Sequence, residues 1–141
     1  MKSCYHVPKI TTEDIVEINE LTQKIIGCAF AVYNKTGFGF LESVYEKCLQ
    51  LELAKQKLNA EFQKPIKVFY DSQNVGDFIA DILIKNTVIV ELKSVLKLNK
   101  MHEAQLVNYL VATGIETGLL INFGEQKVEV KRKYRKYSKT Q

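Results

Sequence analysis

Long apolar runs are missing from this sequence: nowhere do its 141 residues approach the ~18 consecutive apolar positions that a membrane-crossing helix needs. The N-terminal stretch "MKSCYHVPKITTED" also lacks the apolar core of a secretion signal. A chain with neither is expected to be cytoplasmic and without a membrane partner. Cysteine is scarce, with Cys4, Cys28 and Cys48 odd in number and without CxxC spacing. Two of them fall in apolar helical patterns, which suits reduced core thiols better than zinc ligands or disulfides. No internal repeat, low-complexity linker or second domain interrupts the chain, and no aspartate follows Asp81.

What is present fits one globular core, with 46% hydrophobic and 26% charged residues. The net charge of +4 is unevenly placed, because residues 127–141 carry seven basic side chains against Glu129 and leave the rest of the chain slightly acidic. The expected organisation is therefore a single domain over 1–126 and a basic C-terminal strand end and tail over 127–141. Lys131, Arg132, Lys133, Arg135 and Lys136, interleaved with Tyr134 and Tyr137, could meet the phosphates and bases of a nucleic acid. A solvated extension would account for them equally well.

Periodicity predicts a first helix over about 12–35, with Thr11 or Thr12 as its cap and Gly37 and Gly39 beyond its end. A second helix is predicted from near Phe40 to about Leu58. Three β-like runs follow, "EFQKPIKVFY", "VGDFIADILI" and "TVIVELK", then a helix in "NKMHEAQLVNYLVATG", then the strands "TGLLINF" and "KVEVKRKY". This order predicts an α/β domain with a mixed central β-sheet flanked by helices.

The stretch "DILIKNTVIVELKS" places Asp81, Glu91 and Lys93 in otherwise core-like strands. Alternation puts Thr87, Ile89, Glu91 and Lys93 on one face, and Ile79, Asp81 and Leu83 on one face of the preceding strand. If the strands are neighbours and those faces coincide, Asp81 and Glu91 meet. Two buried carboxylates repel and are costly when ionised, and a divalent cation relieves both problems. Oxygen donors alone favour Mg²⁺ or Mn²⁺, which can share its remaining positions with waters and a phosphate. Lys93 could then position an attacking water.

The ExK spacing alone is weak, since Glu125/Lys127 and Glu129/Lys131 repeat it, but only Glu91/Lys93 follows an aliphatic run and an acid on a preceding strand. The bland alternative is an ion pair of Asp81 or Glu91 with Lys93. On the second helix Glu42, Tyr45 and Glu46 share a stripe, and on the third helix His102, Gln105 and Tyr109 do the same. Tyr45 and Tyr109 have a structural alternative as half-buried aromatics, Glu46 as a solvent-facing acid and His102 as a cap.

The stretch "GFLESVYEKCLQLEL" resembles the GxxExxY protein family, whose signature Gly39, Glu42 and Tyr45 match. The blocks "QKPIKVFY", "DFIADILIKNTVIVELKSV", "HEAQLVNYLVATG" and "GLLINFG" are also similar to that family. The family in turn resembles the PD-(D/E)XK nuclease superfamily, with a restriction-endonuclease-like core of four mixed strands flanked by helices. The resemblance implies that Asp81 is the motif's aspartate, Glu91 and Lys93 its ExK, and Gln105 and Tyr109 its QxxxY element. Glu42 or Glu46 would be the additional helix acid, and Ala80 stands where the motif often has proline.

The expected activity is Mg²⁺- or Mn²⁺-dependent hydrolysis of DNA or RNA, with Asp81, Glu91, Glu46 and Glu42 toward the metal. Tyr45 and His102 are further candidates, and a second copy of the chain is a candidate partner. The alternatives are a non-catalytic binding or assembly module on the same fold, and a nuclease-like toxin or defence component.

Overall fold

A computed structural model describes residues 11–135; Cys4, Lys136, Tyr137 and Lys139 lie outside the described residues. Helix α1 spans Thr12–Thr36. It begins where the sequence predicts because Thr11 and Asp14 cap each other, the Asp14 N–H donating to Thr11 Oγ1 and the Thr11 N–H to Asp14 Oδ2.

Helix α2, Glu42–Lys55, is shorter at both ends than its apolar pattern suggests. Its start is displaced because the backbone of Phe40 is used elsewhere: its N–H donates to the Tyr45 hydroxyl, and its carbonyl accepts from Ser94 Oγ. Strands β1 (Ala60–Tyr70), β2 (Gln73–Ile84) and β3 (Val88–Lys93) follow, then helix α3 (Lys100–Thr113) and strands β4 (Thr117–Phe123) and β5 (Val128–Tyr134).

The five strands lie in chain order in one sheet, one strand more than the resemblance implies. All neighbours are antiparallel except β3 and β4. A parallel pair cannot be joined by a tight turn, so α3 makes the crossover. β4 is buried at every position, as expected of a strand covered on both faces. On one face α1 and α2 pack on Ile82, Ile84, Val88, Val90, Leu92, Leu119 and Ile121. On the other, Leu106 and Leu110 of α3 pack on Leu83, Ile89 and Leu120.

The faces of β3 are as alternation predicts, but those of β2 are not. Ile82 and Ile84 meet α1 and α2, whereas Ala80, of the same parity, joins Leu83 in the α3 cluster. β1 behaves likewise, with Phe62 in the first cluster and Ile66 in the second. The expected common face of Ile79, Asp81 and Leu83 is therefore broken: Ile79 is 48% exposed and Leu83 is buried. Both strands turn over at Gln63 and Asp81, where Gln63 has the left-handed φ of 54°. No strand continues its two-residue alternation through such a residue.

Candidate active site

The ladder between β2 and β3 runs Ile84↔Val88, Leu83↔Ile89 and Ile82↔Val90, and stops. At the next position the strands part, and two carboxylates take the place of main-chain partners. The Asp81 N–H donates to Glu91 Oε2 at 3.1 Å, and the Leu92 N–H donates to Asp81 Oδ2 at 2.8 Å. Asp81 and Glu91 thus meet, as the sequence predicts, although the common face expected to bring them together does not persist.

Electrostatics follows from this placement. Burial, and then the charge of Asp81, push the Glu91 carboxyl up to about 8. Burial also raises Asp81, against the opposing pull of the Leu92 N–H and of Lys93. Without a cation the pair therefore favours holding a proton. Lys93 follows on β3, and its charge lowers both acids. It nevertheless forms no ion pair with a described residue, so the bland expectation of a salt bridge is not met.

Side chains reach this gap from both helical layers. Glu46 of α2 is raised by burial and then by the charge of Asp81, and it accepts a 2.8 Å bond from Gln63 Nε2. Glu42, one turn earlier, is exposed at the start of α2. From α3, the Tyr109 phenol is raised by burial and then by Glu91 and Asp81, and its ring stacks on Phe78 at 3.6 Å. Gln105 is exposed one turn before it.

Two further candidates are occupied structurally. Tyr45 is fully buried, stacks on Phe123 at 4.2 Å and donates its hydroxyl to the Gly37 carbonyl. It closes the turn in which Gly39 adopts φ 117°. His102 caps α3: its Nδ1 accepts from the Asn99 N–H, while its own N–H donates to Asn99 Oδ1.

The basic residues of β5 and Arg135 just beyond it do not form one open patch. Arg132 donates to Asn19 and Thr22 of α1, Lys133 pairs with Glu103, and Arg135 pairs with Glu116. Lys131 is exposed, and Lys136 lies outside the described residues.

Among the described residues, no three His, Cys, Asp or Glu side chains form a ready-made metal cage. A hard cation such as Mg²⁺ does not need one, since one or two carboxylates with water and phosphate oxygens satisfy it. Asp81 and Glu91 fit that chemistry: each has one oxygen engaged by a backbone N–H and a second beyond it.

Three contributors escape a reading of the sequence. Phe78 backs Tyr109, and Gln63 meets Glu46. Asn122, fully buried, bonds both the N–H and the carbonyl of Val95 and so fixes the chain just after Lys93. Only Asn122 carries a signal, as an amide inside the apolar run "LLINF".

Comparison with known proteins bears on the fold and family. The crystal structure of SSO0001 superposes with a TM-score of 0.51 at 19% identity, over 68% of this chain and 52% of that one. The chain thus spans about half the length of that protein, and the likeness shows a shared fold. Comparison with curated proteins finds no match. A family model described as the PD-(D/E)XK nuclease superfamily matches residues 19–133, a stretch that includes all five strands and all three helices in whole or part, and every member of the carboxylate centre. The chain belongs to the PD-(D/E)XK nuclease superfamily.

Proposed function

We propose that this protein is a divalent-cation-dependent nuclease that hydrolyses phosphodiester bonds of DNA or RNA. The observation that carries the reading is the meeting of Asp81 and Glu91 where β2 and β3 part, with Lys93, in no ion pair with a described residue, beside them. Asp81 and Glu91, with Glu46 or Glu42 assisting, would hold Mg²⁺ or Mn²⁺, which would supply a water of lowered pKa and positive charge against the phosphate. Lys93 orients the water and offsets charge growing on the phosphoryl oxygens. Tyr109 and Gln105 orient the lysine or the scissile phosphate. The water oxygen bonds to phosphorus as the ester P–O bond breaks, and the leaving oxygen takes up a proton.

Membership of the GxxExxY family belongs to the same proposal. It is supported by Gly39 and Tyr45, which together build the turn before α2. A cytoplasmic location, a second copy as partner, and phosphate contacts from the basic end over 127–141 complete it.

One observation favours a second reading, a non-catalytic nucleic-acid-binding or assembly module. Asp81 and Glu91 already satisfy backbone donors at the splayed ladder, a purely structural use of two acids. Incubating purified protein with labelled DNA and RNA, with Mg²⁺, Mn²⁺ or chelator, separates the readings. The nuclease should cleave only with the ion, and Asp81→Asn should abolish cleavage without lowering Tm. No cleavage of either nucleic acid with either ion would transfer the assignment to the binding module.

A further inference from the structure

Gln63 lies in the middle of β1 at φ 54°, a left-handed conformation that persists at a non-glycine strand residue only where its surroundings impose it. Strand pairing supplies no local cause. The flanking pairs Phe62↔Ile82 and Lys64↔Ala80 keep one register, with no inserted residue, which leaves Asp81 directly across from Gln63. The same residue marks the point where β1 and β2 change faces. From there its amide donates to Glu46 Oε1 at 2.8 Å, linking an acid on α2 to the strand position opposite an acid on β2.

We infer that Gln63 is the positioning residue of the carboxylate centre: its amide holds Glu46 toward Asp81, and its left-handed backbone directs the amide there. The inference rests on the reading of Asp81 and Glu91 as a cation-holding pair. Converging carboxylates repel, and a lysine or arginine placed between them would relieve the repulsion by adding a cation that competes with the metal. A primary amide offers two N–H donors and no charge.

Calorimetric Mn²⁺ titration of wild type, Gln63→Gly and Gln63→Asn, with Tm measured for each, tests this role. Glycine adopts the left-handed backbone without strain, and asparagine tolerates it with a side chain one methylene shorter. Both variants should fold, with Tm for Gln63→Gly at or above wild type, and both should bind Mn²⁺ about 10- to 100-fold more weakly, as for other residues that orient metal ligands. Wild-type Mn²⁺ affinity in both variants overturns the positioning role while leaving the metal site standing. A fall in Tm with affinity per folded molecule unchanged also overturns it, since Gln63 would then be structural only. If wild type itself takes up no Mn²⁺, the reading of the centre falls and the role of Gln63 toward a cation falls with it.

Discussion

Glu91 is an acid that folding drives toward its neutral form. Its carboxyl rises from 4.5 to about 8 through burial and the charge of Asp81, so the folded chain holds that proton more tightly than the unfolded one. The stabilisation is fully present below the unfolded value and is lost as pH rises through about 8. Urea unfolding of the cation-free protein should therefore show stability falling over this window, by on the order of a few kcal/mol. Glu91→Gln should flatten the slope and exceed wild type at the alkaline end; parallel profiles would refute the raised carboxyl. Lys93, in no ion pair with a described residue, has its proposed role in the transition state. Lys93→Ala should slow cleavage by ~10² to 10⁴ with Mn²⁺ affinity little changed, and cleavage at the wild-type rate would remove it from the chemistry. These three residues were legible in the sequence because charge inside aliphatic strands needs a reason. Gln63 was not, since an exposed glutamine on a strand violates no pattern and only its backbone angle betrays it.

Among the elements, the helix ends could be read closely wherever a side chain sets them, as Thr11 and Asn99 do with their capping boxes. The start of α2 could not, because it depends on Ser94, 54 positions away, bonding the Phe40 carbonyl. The faces of β2 were misread for a related reason: two-residue alternation describes a strand that does not turn over, and β2 does so at Asp81. The fit of α3 on β4 is tight at Gly118, where a Cβ would lie 2.8 Å from Leu106 Cδ1. Leu106 is itself fully buried, so Gly118→Ala should destabilise by ~1–3 kcal/mol through overpacking. The denaturation midpoint checks this, and an unchanged midpoint would mean that α3 shifts freely. At the other layer, Tyr45→Phe keeps the ring on Phe123 and removes the bond to Gly37. A loss of about 1 kcal/mol is expected, measured by the same unfolding curves.

For the molecule as a whole, folding redistributes the basic end that composition presents as one block. Arg132, Lys133 and Arg135 are engaged within the fold, which leaves Lys127, Lys131 and the lysines beyond residue 135 for the proposed phosphate contacts. Removing 136–141 takes away Lys136 and Lys139 and should reduce the slope of log affinity against log salt by roughly 2 on duplex DNA. Tm should stay unchanged, and an unaltered slope would assign both lysines to solvent. Removing 132–141 should instead cost stability, because Arg132, Lys133 and Tyr134 pair with Leu119, Gly118 and Thr117 of the buried strand β4. The bonds from Arg132 to Asn19 and Thr22 span 113 and 110 positions, and they join the first helix to the last strand. On the ribosome, α1 therefore emerges long before the strand that anchors it exists. At about 5–20 residues per second, roughly 5 to 20 s pass before Arg132 is synthesised, and during that interval α1 has its neighbour α2 but lacks the bonds that tie it to β5.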